Sequence, residues 1–494
     1  MSAFLSKSKY LAGLQCQKLL WFHYNDKKEI PAYDDQTQAI FDQGHEVGEL
    51  AKKLFPGGID VTWDQPLAQV ISQSNELLTK RKPLFEAGFM FDGTYARVDV
   101  LNPVSDGEWD IIEVKSGTEV KSVNIHDVAF QRYCYEGAGV PIRKCFLMHV
   151  NNKYVRKGEI EPDGLLKRVD VTQKAAEAGV DIRNRVQDML STIALKKCPD
   201  VDIGPHCSDP YPCPLMEKCW NHVNKVENNV FSLFKLRAAK RWALYKDGVL
   251  RNDQLPKDYP LSRAQRIQIE AEKSGQPHIS TRVISKFLSG LDYPLYLLDF
   301  ETFQTAIPVI DGTQPYKQIP SQFSLHVVKN LVDEPEHHSW LWDGVGDPRA
   351  EILKRLQQLL GNTGTILAYY APFEKKVLSS CAAAYPEYGD WLKLVLARVQ
   401  DLLVPFKNFD VYYPCQHGTA SLKAVLPALT GKTYKNLAIH DGGQASGEFM
   451  RVTFGKVSAA DRQQVLQNLE EYCGQDTLAM LDILQRLERL QREA

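Results

Sequence analysis

Alternation of apolar and polar positions is strongest in YARVDVLNPVSDGEWDIIEVKSG, rich in Val and Ile. It predicts two strands, Tyr95–Leu101 and Trp109–Lys115, joined by a Pro/Gly/Asp turn. The next stretch, SVNIHDVAFQRYCYEGAG, changes period. Val128, Ala129 and Tyr133 fit one helical face, and Gly137 and Gly139 end it. Further on, FSLFKLRAAKRWALYKDGVLRND and SRAQRIQIEAEKSG predict two helices. Apolar runs return in YPLYLLDFETF, IPSQFSLHVVKN and TILAYYAPF, which predict strands. SLKAVLPAL and the tail AADRQQVLQNLEEYCGQDTLAMLDILQRLERL predict helices. Strands alternating with helices argue for an α/β fold. The pattern divides the chain into an α/β region 1–225, a helical connector 226–292 and a second α/β region 293–494.

Composition narrows the function classes. The 494 residues are 44% hydrophobic and 24% charged, and 59 Lys+Arg against 61 Asp+Glu leave a net charge of −2. A basic coat is excluded, but a local basic groove is not. The Lys and Arg of the connector read as a solvated face or as contacts to a nucleic-acid backbone. No run is long and apolar enough for a membrane span, and Lys and Gln interrupt the N-terminal stretch. A cytoplasmic protein with no membrane partner is expected. Ten cysteines in such a chain stay reduced, and a cluster among them suggests a metal before a disulfide.

Asp99 ends one predicted strand, while Glu113 and Lys115, two apart on the next, share a face. Thirteen residues separate Asp99 from Glu113, which brings two carboxylates and an ammonium to one sheet edge. Hard carboxylate oxygens suit Mg²⁺ or Mn²⁺, and a lysine beside them orients a water or stabilises negative charge. Gln131 and Tyr135 lie four apart on the following helix. Asp99, Glu113-Val-Lys115 and Gln131-Arg-Tyr-Cys-Tyr135 resemble the PD-(D/E)xK nucleases of the RecB type. The resemblance implies a restriction-endonuclease-like fold in which Asp99 and Glu113 bind the metal, Lys115 assists the water, and Gln131 and Tyr135 support the site. It also makes His45, in GHEVGELAKKLFP, a candidate metal ligand; the alternative is a structural helical histidine.

In GPHCSDPYPCPLMEKCW, Cys207, Cys213 and Cys219 recur every six residues in a loop held by prolines and a glycine. Three thiolates need a fourth ligand, and Cys16, Cys198 or His206 is available. The order of Cys16 followed by a distant trio is similar to the iron–sulfur staple of RecB-type nucleases, including AddB and the CRISPR-associated ones. The spacing departs from theirs, with five residues rather than two between the first pair. The resemblance implies a 4Fe–4S cluster on Cys16, Cys207, Cys213 and Cys219; zinc on four thiolates, or no metal at all, are the alternatives.

A second acidic group is more compact. Asp299 and Glu301 alternate at the end of a predicted strand, and Tyr472 and Asp476 lie one turn apart on the last helix. Convergence of the three acids would hold divalent ions for phosphodiester cleavage, with Tyr472 positioning the attacking water. D-x-E followed by a late Y-x-x-x-D resembles the DEDD exonucleases on a ribonuclease H-like fold. In YYAPFEKKVL, Glu374 stands where that family has Asp, and its Asn has no counterpart. Asp401 is a substitute or supporting acid.

HDVAFQRY, GPHCSDPYPC, PLYLLDFETF and IPSQFSLH extend a likeness over most of the chain to a predicted-nuclease family of unknown role, which joins a RecB-type domain to a ribonuclease H-like one. The expectation is a metal-dependent nuclease acting on single-stranded DNA ends. With no Walker A loop in the sequence, a separate helicase would serve as its partner. Trp21, Tyr133, Tyr369 and Tyr370 are either base-stacking residues or core. An RNA-processing nuclease, or a nucleic-acid-binding scaffold with one inactive domain, are the alternatives.

Overall fold

The computed structural model describes residues 4–62 and 64–493. The chain divides into two compact units, Met1–Asn221 with Thr305–Lys317, and His222–Gln304 with Gln318–Ala494. The first cut falls close to the expected boundary at 225. The expected connector 226–292 lies wholly inside the second unit, and residues 305–317 belong to the first.

The first unit contains β1 (Leu5–Ser6), β2 (Ile59–Asp60), β3 (Leu84–Phe85), β4 (Gly88–Phe91), β5 (Thr94–Arg97), β6 (Val100–Pro103), β7 (Trp109–Lys115), β8 (Ile142–Val150) and β9 (Leu166–Asp170). Six of them form a mixed sheet ordered β2-β3-β6-β7-β8-β9, and β1-β5-β4 form a smaller one. Strand β7 and the helix Ser122–Gly137 lie where the pattern places them. The expected strand Tyr95–Leu101 is instead two strands, β5 and β6, in different sheets. The break falls at Val98–Asp99, where side chains take over backbone groups. The Tyr135 hydroxyl accepts from Val98 N and donates to Ala87 O, and Asp99 accepts from Val114 N. Burial of Ala96, Val98 and Val100 continues the alternation through the break, so the pattern conceals it.

One face of the large sheet packs Ile111 and Leu147 against Val128, Phe130 and Tyr135 of the helix Ser122–Gly137. The other packs Ile112, Val114 and Met148 against Val47, Leu50 and Ala51 of the helix Asp35–Lys52. Ala306, from the 305–317 arm, completes that second cluster. The arm is pinned by Ala306 N donating to Gln43 Oε1 at 2.9 Å and by the Tyr316 hydroxyl donating to Ser116 O at 2.6 Å.

The second unit contains β10 (His278–Ile279), β11 (Leu295–Phe303), β12 (Ile319–Val328), β13 (Glu336–Leu341), β14 (Thr365–Ala368), β15 (Val399–Asp401) and β16 (Val411–Tyr412). Its main sheet runs β13-β12-β11-β14-β15, with β13, β12 and β11 antiparallel and β11, β14 and β15 parallel. Leu298, Phe300, Phe323 and Ile366 of the sheet pack on Ile352, Leu356 and Leu378 of flanking helices. TILAYYAPF is strand only as far as Ala368; Pro372 then opens the helix Pro372–Ala384, as proline does at a first helical position. SRAQRIQIEAEKSG forms the helix Arg263–Ser274, closed by a Ser262–Gln265 capping box and by Gly275 at φ +67°. Among the described residues, no helix is long and apolar enough to cross a membrane.

Candidate functional site

In the first unit, β7 carries Glu113 and Lys115 to one face, and the break before β6 brings Asp99 beside them. Glu113, with 1% of its side chain exposed, lies 2.6 Å from Lys115 Nζ and 2.6 Å from Lys7 Nζ. Lys115 also pairs with Asp127 at 2.8 Å. Gln131 donates from one amide nitrogen to Glu113 Oε2 at 2.7 Å and Asp127 Oδ1 at 2.9 Å. Tyr135 points away from these groups, to the backbone of Val98 and Ala87, so it holds the break that positions Asp99.

Burial opposes a charge on Glu113, but Lys115 and Lys7 outweigh it and hold its carboxyl at about 2. Asp99 is pushed up to about 7 by burial and by the charge of Glu113. The group faces a cleft of about 810 Å³, lined also by His45, Glu86, Arg97 and Lys52. His45 is exposed on its helix and shares the cleft with the acids. Sequence reasoning missed Lys7, Asp127 and Glu86. Asp127 stands one helical turn before Gln131, a spacing that could have flagged it. Nothing local marks Lys7.

In the second unit, Asp299, Glu301 and Asp476 converge, each offering an oxygen within 4.8 Å of the others. A register shift after Glu301 interrupts the β11–β12 ladder, the irregularity that re-aims side chains beside active sites. The helix Ala459–Arg492 is docked on β12 by Gln322 Nε2 donating to Leu469 O at 3.1 Å and by the Ser324–Thr477 hydroxyl pair at 2.7 Å. That docking brings Asp476 to the strand acids. The Tyr434 hydroxyl donates to Asp476 Oδ1 at 2.6 Å, Lys423 Nζ donates to the Tyr472 hydroxyl at 2.8 Å, and Cys473 Sγ lies 3.8 Å from Asp299 Oδ2.

Here the acids outnumber the cations. Burial and then the charges of Asp476, Glu301 and Glu374 raise Asp299 well above the usual carboxylate range. Burial and Asp476 push Glu301 up to about 8, against the opposing charge of Lys423. Glu374 is 3% exposed and pushed up to about 8, chiefly by burial. Its Oε2 is buried without a hydrogen-bond partner. Such an orphaned oxygen beside a carboxylate triad suits a hard cation as the missing partner. Asp401, at the end of β15, is occupied differently: its Oδ1 accepts from Tyr370 N and Leu403 N, both at 3.0 Å. Lys423, Tyr434 and Cys473 were not legible as site residues in the sequence.

Cys16, Cys207, Cys213 and Cys219 line one small cavity in the first unit, together with His206. Cys16, Cys198, Cys213 and Cys219 also share an apolar cluster with Leu19, Phe22 and Leu215. A single tetrahedral zinc needs its sulfurs about 3.8 Å apart, given Zn–S bonds of about 2.3 Å. Four thiols around one cavity suit either a tetrahedral zinc or an iron–sulfur cluster. Of the aromatic candidates, Trp21 Nε1 donates to Leu195 O, Tyr133 packs on Phe91, and the Tyr369 hydroxyl donates to Ala420 O. Tyr370 is 57% exposed.

Residues 296–421 match the model of a family described as a domain of unknown function, DUF2779. That stretch holds Asp299, Glu301, Glu374 and Asp401, and stops before Tyr472 and Asp476. The uncharacterized protein MG366 of Mycoplasma genitalium is 26% identical over 205 residues, 38% of this chain and 31% of that protein. Its homolog in Mycoplasma pneumoniae is 27% identical over 212 residues, 37% of this chain and 31% of that protein. The chain therefore spans about a third of the length of the curated relatives it matches.

Proposed function

We propose that this chain is a metal-dependent nuclease with two phosphodiester-cleaving sites, acting on single-stranded DNA ends. The observation that carries the reading is the meeting of Asp299, Glu301 and Asp476 within 4.8 Å, with one nearby ammonium against three acids, Asp476 buried and the other two half-buried. The strand order β13-β12-β11-β14-β15, three antiparallel then three parallel with β11 shared, supports a ribonuclease H-like fold for the second unit. The β7–helix pair bearing Glu113, Lys115 and Gln131 supports a PD-(D/E)xK fold for the first.

Asp299, Glu301 and Asp476, joined by Glu374, would hold the divalent ions of the second site. Mg²⁺ or Mn²⁺ bound there would supply Lewis-acid chemistry to the scissile phosphoryl group and to a water. Tyr472 would orient the attacking water. A phenol whose pKa is raised by burial and by Asp476 stays protonated and serves as a hydrogen-bonding post. In the first site, Asp99 and Glu113 would be the metal ligands, with His45 at the cleft wall. Lys115 and Lys7 meet the negative charge of the phosphate, and Gln131 fixes the Glu113 carboxylate. The cysteine ring is read as the seat of a structural 4Fe–4S cluster on Cys16, Cys207, Cys213 and Cys219. Its role is to staple the two ends of the first unit's main segment.

Full-length protein is to be assayed with Mg²⁺ or Mn²⁺ on strands labelled at either end. Glu113→Ala and Asp299→Ala are each expected to remove one component of cleavage, and the double variant all of it. Undiminished digestion by the double variant refutes the assignment. Cleavage of RNA in preference to DNA replaces the substrate and leaves the residues in place.

A further inference from the structure

We propose that Lys423 is a positioning residue of the second site: its ammonium fixes the Tyr472 hydroxyl against Asp476 and so sets where Tyr472 holds the attacking water. The inference rests on the nuclease reading above and adds a residue to it.

Lys423 stands at the second position of the helix Leu422–Thr430, which packs on the long helix carrying Tyr472. Its Nζ is held at several points. It donates to the Tyr472 hydroxyl at 2.8 Å and to the carbonyl of His440, and it lies 4.8 Å from the Tyr472 ring centroid and 5.5 Å from that of Tyr434. An ammonium has donors only. The phenol oxygen therefore accepts from Lys423, and its own hydrogen must turn elsewhere. Asp476, one turn further along the same helix, is the acceptor on that side. Tyr434 approaches the same carboxylate through Oδ1 at 2.6 Å. Lys423, Tyr472, Asp476 and Tyr434 thus form one polar chain, with the Lys423 ammonium also over the Tyr434 ring, in which one substituted member frees the others to rotate. A tyrosine free to swing would place its water poorly, and misplacement at a reacting centre is felt in turnover more than in binding.

The test uses full-length protein carrying Glu113→Ala, so that only the second site is read. Lys423→Met is expected to lower kcat by about 10- to 100-fold on end-labelled single-stranded DNA with Mn²⁺, leaving KM within about threefold. Lys423→Arg is expected to recover most of the loss, because a guanidinium still donates to the phenol. The decisive comparison is the double variant Lys423→Met/Tyr472→Phe, expected to be no slower than Tyr472→Phe alone, since Lys423 acts through that hydroxyl. Multiplying losses, or a raised KM with kcat kept, overturn the inference in favour of a direct phosphate contact. Mn²⁺ titration is the parallel readout. Lys423→Met should bind the ion at least as tightly as its parent, and lost binding overturns the inference by marking a structural role. If the parent neither cleaves nor loses Mn²⁺ affinity on Asp299→Ala, the nuclease reading itself falls, and this inference with it.

Discussion

Lys7 Nζ lies 2.6 Å from Glu113 Oε1, although 106 positions separate the two residues. Glu113 thus meets two ammonium groups, where the Asp299 group meets one, and the two sites differ in how much positive charge they still call for. Removing Lys7 takes away a cation that competes for the same oxygen. Lys7→Ala, in an Asp299→Ala background, is expected to bind Mn²⁺ up to about tenfold more tightly, or about 1.4 kcal/mol, while cleaving DNA more slowly for want of a phosphate partner. Calorimetric titration and single-turnover cleavage check the two halves. Unchanged values in both would show Lys7 to be a bystander.

The second site should make metal binding steeply pH-dependent. Glu301 and Glu374 are pushed up to about 8 from an ordinary 4.5, and Asp299 is also raised well above its ordinary value, by burial and by the neighbouring acids. Between those limits the folded, metal-free chain binds more protons than the unfolded one. The contribution of these groups to stability is therefore largest at the acid end and is lost as pH rises to about 8. Divalent ions replace the protons. The rise in Tm on adding Mn²⁺ is expected to be larger at about pH 8 than at about pH 6. Thermal melts with Mn²⁺ and with EDTA measure it. An effect that is flat across this range, or that survives Asp299→Ala, contradicts the site.

Protein purified without air is expected to be brown, absorbing near about 400 nm from thiolate-bound iron. Cys213→Ser should lose iron and colour, and melt earlier. By chain entropy alone, closing a loop of about 190 residues restricts the unfolded state by about 5 kcal/mol. Iron analysis, absorbance and Tm are the measurements. Colourless protein with stoichiometric zinc assigns the ring to zinc instead.

Tyr370 combines exposure with a left-handed backbone, φ +75°, a conformation costing a non-glycine residue about 1–3 kcal/mol. Its N–H is held by Asp401 at 3.0 Å, and it follows the C-terminal end of β14, which pairs in parallel with β11, the strand that carries Asp299. A strained, exposed ring there fits base stacking. Tyr370→Gly should raise Tm while raising KM for single-stranded oligonucleotides about tenfold, and Tyr370→Trp should keep KM low. A KM unmoved by glycine removes the stacking role.

Local pattern made β7 and the helix Ser122–Gly137 legible because each buries a regular set of positions over enough residues to show its period. Glu113, Lys115 and Gln131 were legible for the same reason: strand and helix periodicity sets which residues share a face. The switch of sheets at Val98–Asp99 was not, since burial alternates without interruption across it. Lys7 and Lys423 were invisible for a different reason. Each reaches its carboxylate or phenol only through tertiary packing, and a lone lysine in an ordinary helix carries no signature of its destination. The acids of the second site were readable as a D-x-E pair and a late Y-x-x-x-D, but their convergence depends on Gln322 and Ser324 docking the last helix, contacts no local rule predicts.

Because Ala306 and Tyr316 belong to the first unit while Asn221 ends its main segment, that unit is not a contiguous stretch of the gene. A ribosome must synthesise residue 317 before the Val47–Ile112 side of the sheet can be fully covered. A fragment cut at 221 would leave that apolar surface open to water.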